Sequence, residues 1–129
     1  MPTSVLPFLM FQGEAEAALA FYLAVFPDAH IDEVRENPAT DAMPASKLTR
    51  LTLHGQSVLV FDSPVKHGFG FTPSFSFFVT CESEEEVRRL SDMLKQDGAE
   101  MMPAGSYGFS TLFAWVSDRF GVSWQLNCP

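Results

Sequence analysis

Apolar and polar residues alternate strictly in the closing stretch of the chain, FGVSWQLNCP. The apolar row consists of Val122, Trp124 and Leu126, and the polar row of Ser123, Gln125 and Asn127. A period of two residues predicts a strand with two different faces. We expect the apolar row to pack beneath a helix, whereas the polar row faces either water or the floor of a cleft.

Similar patterns predict the elements of the first half. Residues 4–11 form an apolar run, which Pro7 marks as an edge strand or a bulge. The segment EAEAALAFYLAVF has apolar residues at helical spacing, and Pro27 ends the predicted helix. The segments HIDEVRE, KLTRLTL and QSVLVFD are predicted strands, and a tight turn at His54-Gly55 joins the last two.

The second half begins after a connection rich in Gly and Pro, residues 62–73. The alternating segment SFSFFVTC predicts a strand. Ser83 and Glu86 have the spacing of a capping box that opens a helix, and Gly98 is the expected C-terminal cap of that helix. The segments AEMM, TLFAWVS and the closing stretch are the remaining predicted strands.

The order of strand, helix and three strands thus occurs twice. A displacement of 66 residues aligns Gly55 with Gly121 and, within about a residue, Pro7 with Ser74. Two βαβββ repeats predict an α+β fold, in which a curved mixed sheet has its helices outside and a concave cleft inside. We expect one domain over 1–129, with repeat one at about 4–62, a linker at 62–73 and repeat two at about 74–128.

Composition narrows the classes of partner. The net charge of −8 argues against nucleic acid and against an anionic membrane surface. No leader follows Met1 and no apolar run reaches ~18 residues, so we expect a cytoplasmic protein. The two cysteines are too few for a disulfide framework, and neither is a promising nucleophile. The 13 phenylalanines are more than a core of this size needs, which is typical of an apolar pocket or an interface.

Three segments across both halves carry a family resemblance: PFLMFQGEAEAALAFYLAVFPDA at 7–29, FSFFVTCESEEEVRRL at 75–90 and FAWVSDRFGVSWQLN at 113–127. They resemble the vicinal oxygen chelate superfamily of glyoxalases, bleomycin-resistance proteins and extradiol dioxygenases. Within it, the chain looks like the PhnB-like branch, also labelled 3-demethylubiquinone-9 3-methyltransferase-like. The resemblance implies a two-repeat fold and a homodimer.

The metal-using enzymes of this superfamily hold their metal with four side chains, usually two His and two Glu. The resemblance places these positions at Pro7, Leu59, Ser74 and Gln125. Pro and Leu cannot bind a metal, and Ser and Gln are poor ligands without a carboxylate or an imidazole beside them. We therefore expect no metal site.

The three histidines do not change this expectation. His30, His54 and His67 lie in or beside predicted loops, without the spacing of a metal motif. The chain also lacks the Gly-rich strand-to-helix turn that holds a nucleotide-like cofactor. We expect no cofactor, and we take the methyltransferase label as a family name only.

Face parity and loop position suggest a lining for the cleft that is aromatic and neutral. The candidate ligand-binding residues are Leu9, Phe11, Leu59, Phe61, Ser74, Ser76, Phe78, Tyr107, Phe113, Trp115, Ser123, Gln125 and Asn127. Such a wall is typical of a small-molecule site. An amide at position 125 fits, because a carboxylate in this surrounding would be costly to desolvate without a cation.

Three functions stay open at this point, and no catalytic residue is assigned. The first is metal-independent binding of a small hydrophobic or aromatic molecule. The second is an enzyme of lyase or isomerase type, or with the labelled methyltransferase activity, in which Tyr107 or Asp62 acts as the base. The third is an interaction protein whose aromatic surface is covered in a homodimer. The sequence decides neither the identity of the ligand nor whether the chain is an enzyme.

Overall fold

The computed structural model describes residues 1–129, which divide into two compact units, Met1–Gly68 and Phe69–Pro129. The boundary lies inside the predicted connection 62–73. Each unit contains one helix and one four-stranded mixed sheet, with the order strand, helix, three strands. The predicted α+β class with two βαβββ repeats is therefore confirmed.

The first unit consists of β1 (Phe8–Phe11), α1 (Ala15–Val25), β2 (His30–Asn37), β3 (Ser46–Leu53) and β4 (Gln56–Asp62). Its strand order is β1-β4-β3-β2, with β1 parallel to β4 and the other pairs antiparallel. β1 is an edge strand, as Pro7 indicated, although it begins later than expected. His54 and Gly55 have φ values of 45° and 83°, the left-handed conformation that a two-residue hairpin requires.

One face of the first sheet is buried and forms the core of this unit. Its residues are Leu9, Phe11, Thr49, Leu51, Leu53, Val58 and Val60. The helix α1 contacts β4 and buries a row of apolar side chains, Ala15, Ala18, Leu19, Tyr22 and Val25. This row is the one that the helical spacing predicted.

The second unit consists of β5 (Ser76–Thr80), α2 (Glu84–Leu94), β6 (Ala99–Gly105), β7 (Leu112–Ser117) and β8 (Ser123–Cys128). Its strand order is β5-β8-β7-β6, with β5 parallel to β8, so its connectivity matches that of the first unit. α2 contacts β7 and β8, and Val122, Trp124 and Leu126 are buried. Each helix has 11 residues, and neither is long and apolar enough to cross a membrane.

The N-terminus of α2 has the predicted cap. The backbone N–H of Glu86 donates to Ser83 Oγ at 3.1 Å, and the Glu86 carboxylate in turn accepts the N–H of Glu82 at 3.3 Å. These bonds satisfy two amide groups that have no partner inside the helix.

The expectation for Gly98 is corrected. The left-handed residue after α2 is Asp97, with φ 59°, and not the glycine. Gly98 is needed for a different reason, because a Cβ atom there would lie 2.1 Å from the carbonyl oxygen of Ser117. The close approach of two backbones therefore explains this glycine.

The two repeats are not related by one constant displacement. The positions of Gly55 and Gly121 differ by 66 residues, but Phe8 pairs with Leu59 where Phe78 pairs with Gln125, a displacement of 70 residues in the first strand. The difference arises because β2 and the connection after it are longer than β6 and its connection. The predicted alignment of Pro7 with Ser74 is thus corrected.

Candidate functional site

The candidate site lies on the face of the second sheet that is opposite the row beneath α2. Strand register aligns three rows across β5, β8 and β7: Ser76–Ser123–Ser117, Phe78–Gln125–Trp115 and Thr80–Asn127–Phe113. Directly paired residues point to the same side of a sheet. The structure therefore brings together seven of the candidate residues: Ser76, Phe78, Phe113, Trp115, Ser123, Gln125 and Asn127.

A chain of hydrogen bonds crosses this face. The indole Nε1 of Trp115 donates to Ser123 Oγ at 2.8 Å, and the hydroxyl groups of Ser123 and Ser76 are 2.6 Å apart. The amide Nε2 of Gln125 donates to Ser76 Oγ at 3.2 Å. The amide of Gln125 is thereby anchored on one side, while its carbonyl oxygen accepts no hydrogen bond within the chain.

Aromatic side chains flank the anchored amide. Phe78 pairs with Gln125 on one side and is 58% exposed, whereas Trp115 on the other side is half-buried. Strands two places apart are separated by roughly 9.5 Å. The middle row therefore consists of a neutral amide between two large apolar groups, and the solvent reaches at least one of them.

The loop before β7 adds to the aromatic surface. The ring of Tyr107 lies 6.1 Å from that of Phe113, and the ring of Phe109 lies 5.0 Å from it, both in edge arrangements. The Tyr107 hydroxyl donates to the backbone oxygen of Pro103. Next to Phe113, the side-chain oxygen of Asn127 is buried without a hydrogen-bond partner.

Ser74 lies outside this face. It precedes β5 in a turn, is exposed, and its hydroxyl lies 2.6 Å from that of Thr72. The strand begins two residues later than the sequence pattern predicted, so the alternation that was expected to orient Ser74 does not reach it.

Four further candidate residues belong to the first sheet, and they divide between its two faces. Leu59 and Phe61 lie on the face opposite the core, and the rings of Phe61 and Phe8 are 5.7 Å apart. Leu9 and Phe11 lie on the core face, each 3% exposed. Their assignment to a common lining with Leu59 and Phe61 is therefore corrected.

The error has a physical cause. All four residues of β1, FLMF, are apolar, so their alternation does not identify the core face. The assignment rested on an odd displacement of 67 residues between Pro7 and Ser74, whereas the register gives an even one. A shift of one residue moves every side chain of a strand to the other face.

Strand register also tests the metal positions that the resemblance implies. Leu59 stands beside Phe8, and Gln125 stands beside Phe78. None of these four residues is a carboxylate, an imidazole or a thiolate, the usual ligands of a divalent metal. Nowhere in the chain are three or more His, Cys, Asp or Glu side chains grouped to hold a metal ion. The residues present do not fit a metal of the superfamily type.

The two groups considered as bases have other roles in the structure. Asp62 belongs to the first unit, and its Oδ1 accepts the backbone N–H of Gly13 at 2.6 Å. The Tyr107 hydroxyl is bonded to Pro103, as described above. Both bonds hold a loop in place, so the geometry assigns neither residue a catalytic role.

The cysteines are not activated. Cys81 is 2% exposed, and burial, followed by the nearby Glu86 carboxylate, raises the pKa of its thiol to about 11. A thiol with that pKa is almost entirely protonated at neutral pH. Cys128 is free as well, and it is half-buried.

No sequence pattern indicated a groove that opens in the first unit. It has a volume of about 900 Å³, and its lining includes Gln12, Glu36, Lys47, Asp62, Ser63 and Lys66. Several of its polar atoms are used by the chain itself: Gln12 Oε1 accepts the N–H of His67 at 2.7 Å, and the Ser63 hydroxyl donates to Val65 O at 2.8 Å. These bonds shape the loop after β4, and they leave the groove without a distinct chemical signature.

Comparison with known proteins places the chain among characterised folds. A family model described as 3-demethylubiquinone-9 3-methyltransferase matches residues 3–127. A solved structure from Bacillus cereus, named as a candidate 3-demethylubiquinone-9 3-methyltransferase, PhnB protein, is 41% identical over 98% of this chain and 100% of that chain, with a TM-score of 0.87. A search of curated proteins finds no match.

More distant structures share the fold. A protein from Pseudomonas aeruginosa is 23% identical and covers 98% of each chain, with a TM-score of 0.82. The fosfomycin resistance protein FosX from Listeria monocytogenes, in complex with Mn(II) and dihydroxypropylphosphonic acid, is 16% identical over 98% of this chain and 93% of that chain, with a TM-score of 0.70. At these identities the likeness concerns the fold alone.

Proposed function

Because this chain belongs to the PhnB-like 3-demethylubiquinone-9 3-methyltransferase family of the vicinal oxygen chelate superfamily, we propose that it binds a small aromatic or hydrophobic molecule without a metal. The site is the open face of the second sheet. The observation that carries the proposal is the row Phe78–Gln125–Trp115, in which an anchored amide with a free carbonyl oxygen lies between two aromatic groups.

The exposed aromatic surface favours an apolar ligand. Five of the 13 phenylalanines are exposed: Phe8, Phe69, Phe75, Phe78 and Phe109. Covering such rings releases water and is favourable by roughly 25 cal/mol for each Å² of apolar surface. A planar molecule on Phe78 and Trp115 would gain this contribution together with stacking interactions.

The charge of the face favours a neutral ligand. Its three rows contain hydroxyl, amide and aromatic side chains and no charged group. The chain as a whole has a net charge of −8, which disfavours anions. An amide at position 125 agrees with this, since a carboxylate beside Phe78 and Trp115 would need a cation to offset its desolvation.

We favour binding over catalysis for this face. Methyl transfer, which the family description names, and isomerisation both require a group that removes or guides a proton. The side chains that meet here, such as Gln125, Ser76 and Asn127, are neutral at all ordinary pH values. None of them has a titrating partner on the same three rows.

We also propose that the chain forms a homodimer. The support is again the number of exposed phenylalanines, since monomeric proteins rarely leave large apolar patches uncovered. Light scattering of the purified protein at micromolar concentration tests this proposal. A dimer mass is expected, and a monomer mass would overturn it.

Binding can be tested directly by calorimetric titration of naphthalene-ring compounds in buffer that contains EDTA. We expect saturable binding that weakens several-fold in the Phe78→Ala variant. The matched control is Phe75→Ala, which removes an equally exposed ring that lies before β5. No binding by any such compound, or equal loss in both variants, would refute the proposed site.

A further inference from the structure

We propose that the ligand carries a hydroxyl group on its aromatic ring, and that this group bonds to Ser76 and Gln125 together. The inference rests on the proposed function, since it concerns the same face. It follows from the hydrogen-bond chain, in which the proton of each hydroxyl group can be placed by elimination.

The first step concerns Ser123. An indole N–H can only donate, so Trp115 uses one lone pair of the Ser123 oxygen. Ser123 is 1% exposed, and leaving its own proton without an acceptor there would be costly. The single available acceptor is Ser76 Oγ, at 2.6 Å. Ser123 therefore donates to Ser76.

The second step concerns Ser76. Its oxygen accepts two protons, one from Ser123 and one from Gln125 Nε2, so both of its lone pairs are occupied. Its own proton has no acceptor within the chain. Ser76 is half-buried on the open face, so this proton is available to a bound molecule. The carbonyl oxygen of Gln125, which accepts nothing within the chain, provides a free acceptor next to it.

The two free groups are close together, because the amide that bonds to Ser76 through its nitrogen also carries the free oxygen. A single ligand oxygen that makes a hydrogen bond of about 2.7 Å to each of two groups can connect atoms up to roughly 5.4 Å apart. One atom that both accepts and donates can therefore satisfy Ser76 and Gln125 at once.

A hydroxyl group on an aromatic ring has these properties. An ether or a ketone accepts from Ser76 but offers no proton to Gln125. A carboxylate has the same defect and adds negative charge to an acidic protein. In a phenol the hydroxyl group is attached directly to the ring, so the ring lies at the level of Phe78 and Trp115, the aromatic neighbours of Gln125.

The test compares β-naphthol with its methyl ether by calorimetric titration of the full chain. The methyl ether keeps the ring and the oxygen but lacks the proton that Gln125 accepts. We expect the naphthol to bind roughly tenfold more tightly in the wild-type protein, as the loss of one or two hydrogen bonds implies. The ratio should fall to about one in Gln125→Leu and in Ser76→Ala.

The control is Ser117→Ala. Ser117 is on the same face and pairs with Ser123, but its side chain makes no hydrogen bond in the chain, so the ratio should stay near ten. Because the ratio compares two ligands on one protein, a general loss of stability in a variant cancels. Equal affinity of the naphthol and its ether overturns the inference and leaves the proposed function intact. Absence of binding by both compounds overturns the proposed function together with the inference.

Discussion

The indole Nε1 of Trp124 donates a hydrogen bond of 2.9 Å to Oδ2 of Asp118, at a site where the two residues are only 1% and 3% exposed. The other carboxylate oxygen of Asp118 accepts the backbone N–H groups of Phe120, at 2.9 Å, and Val122, at 3.0 Å. This carboxylate thus closes the turn before β8 and fixes the ring on which the core of the second unit is built.

We expect Asp118→Ala to lower the free energy of unfolding by about 2–4 kcal/mol, because it leaves three donors without their acceptor. Asp118→Asn keeps one acceptor oxygen and should lose less. Urea denaturation measures both variants. Asp41→Ala, at an exposed loop position, is the control and should change stability by less than about 0.5 kcal/mol. Equal stability of the Asp118 and Asp41 variants would contradict the role of this carboxylate.

Gly98→Ala should destabilise the protein by about 2 kcal/mol or more. The new Cβ would lie 2.1 Å from Ser117 O and 2.8 Å from the carbonyl carbon of Asp118, and backbone atoms cannot move aside cheaply. The matched control is Gly68→Ala, since a Cβ at that position meets nothing within 4 Å. Its stability should stay the same or rise by about 0.4–1 kcal/mol. Thermal unfolding of the pair decides, and similar behaviour of the two variants would count against the close approach.

Loss of the cap of α2 should be smaller in effect. Ser83→Ala removes the acceptor of the Glu86 N–H and is expected to cost about 1 kcal/mol. Ser83→Thr keeps a hydroxyl group at the same place, so it should retain most of the stability. An alanine variant as stable as the wild type in chemical denaturation would show that the cap is dispensable.

Thiol reagents should distinguish the two cysteines. At pH 8 we expect rapid labelling of the half-buried Cys128 only, because burial raises the pKa of the Cys81 thiol to about 11. In a Cys128→Ser variant the remaining thiol should react only after denaturation. Fast reaction of Cys81 in the folded variant would contradict its burial.

The same shift in pKa has a defined sign for stability. A thiol whose pKa is raised by folding contributes its stabilisation fully below its usual value of 9.0 and loses it as the pH rises through about 11. The difference in stability between the wild type and Cys81→Ala should therefore narrow over this interval. A constant difference between neutral pH and pH 11 would contradict the shift.

Local signals predicted most of the fold. The capping residues of α2, the turn at His54-Gly55 and the alternation of β8 each depend on neighbours in sequence, so their patterns were sufficient. The face of β1 was not predictable in this way, because all its residues are apolar and its orientation depends on pairing with the distant strand β4. Long-range pairing also decides the displacement between the repeats.

The candidate site shows the same division. Alternation placed Ser123, Gln125 and Asn127 together on one face, and the structure agrees. The bond between Gln125 and Ser76 joins residues 49 positions apart, and it exists only because β5 lies parallel to β8 in one specific register. No pattern within a single strand contains that information, so the anchoring of the amide could not be predicted.

The hydrogen-bond chain that crosses β7, β8 and β5 is built from an indole, two alcohols and a primary amide, and none of these gains or loses a proton in the range where proteins stay folded. Such a receptor behaves identically in mildly acidic and mildly basic surroundings. Any variation of affinity with acidity would then come from the guest, whose own ionisation would act as the only switch.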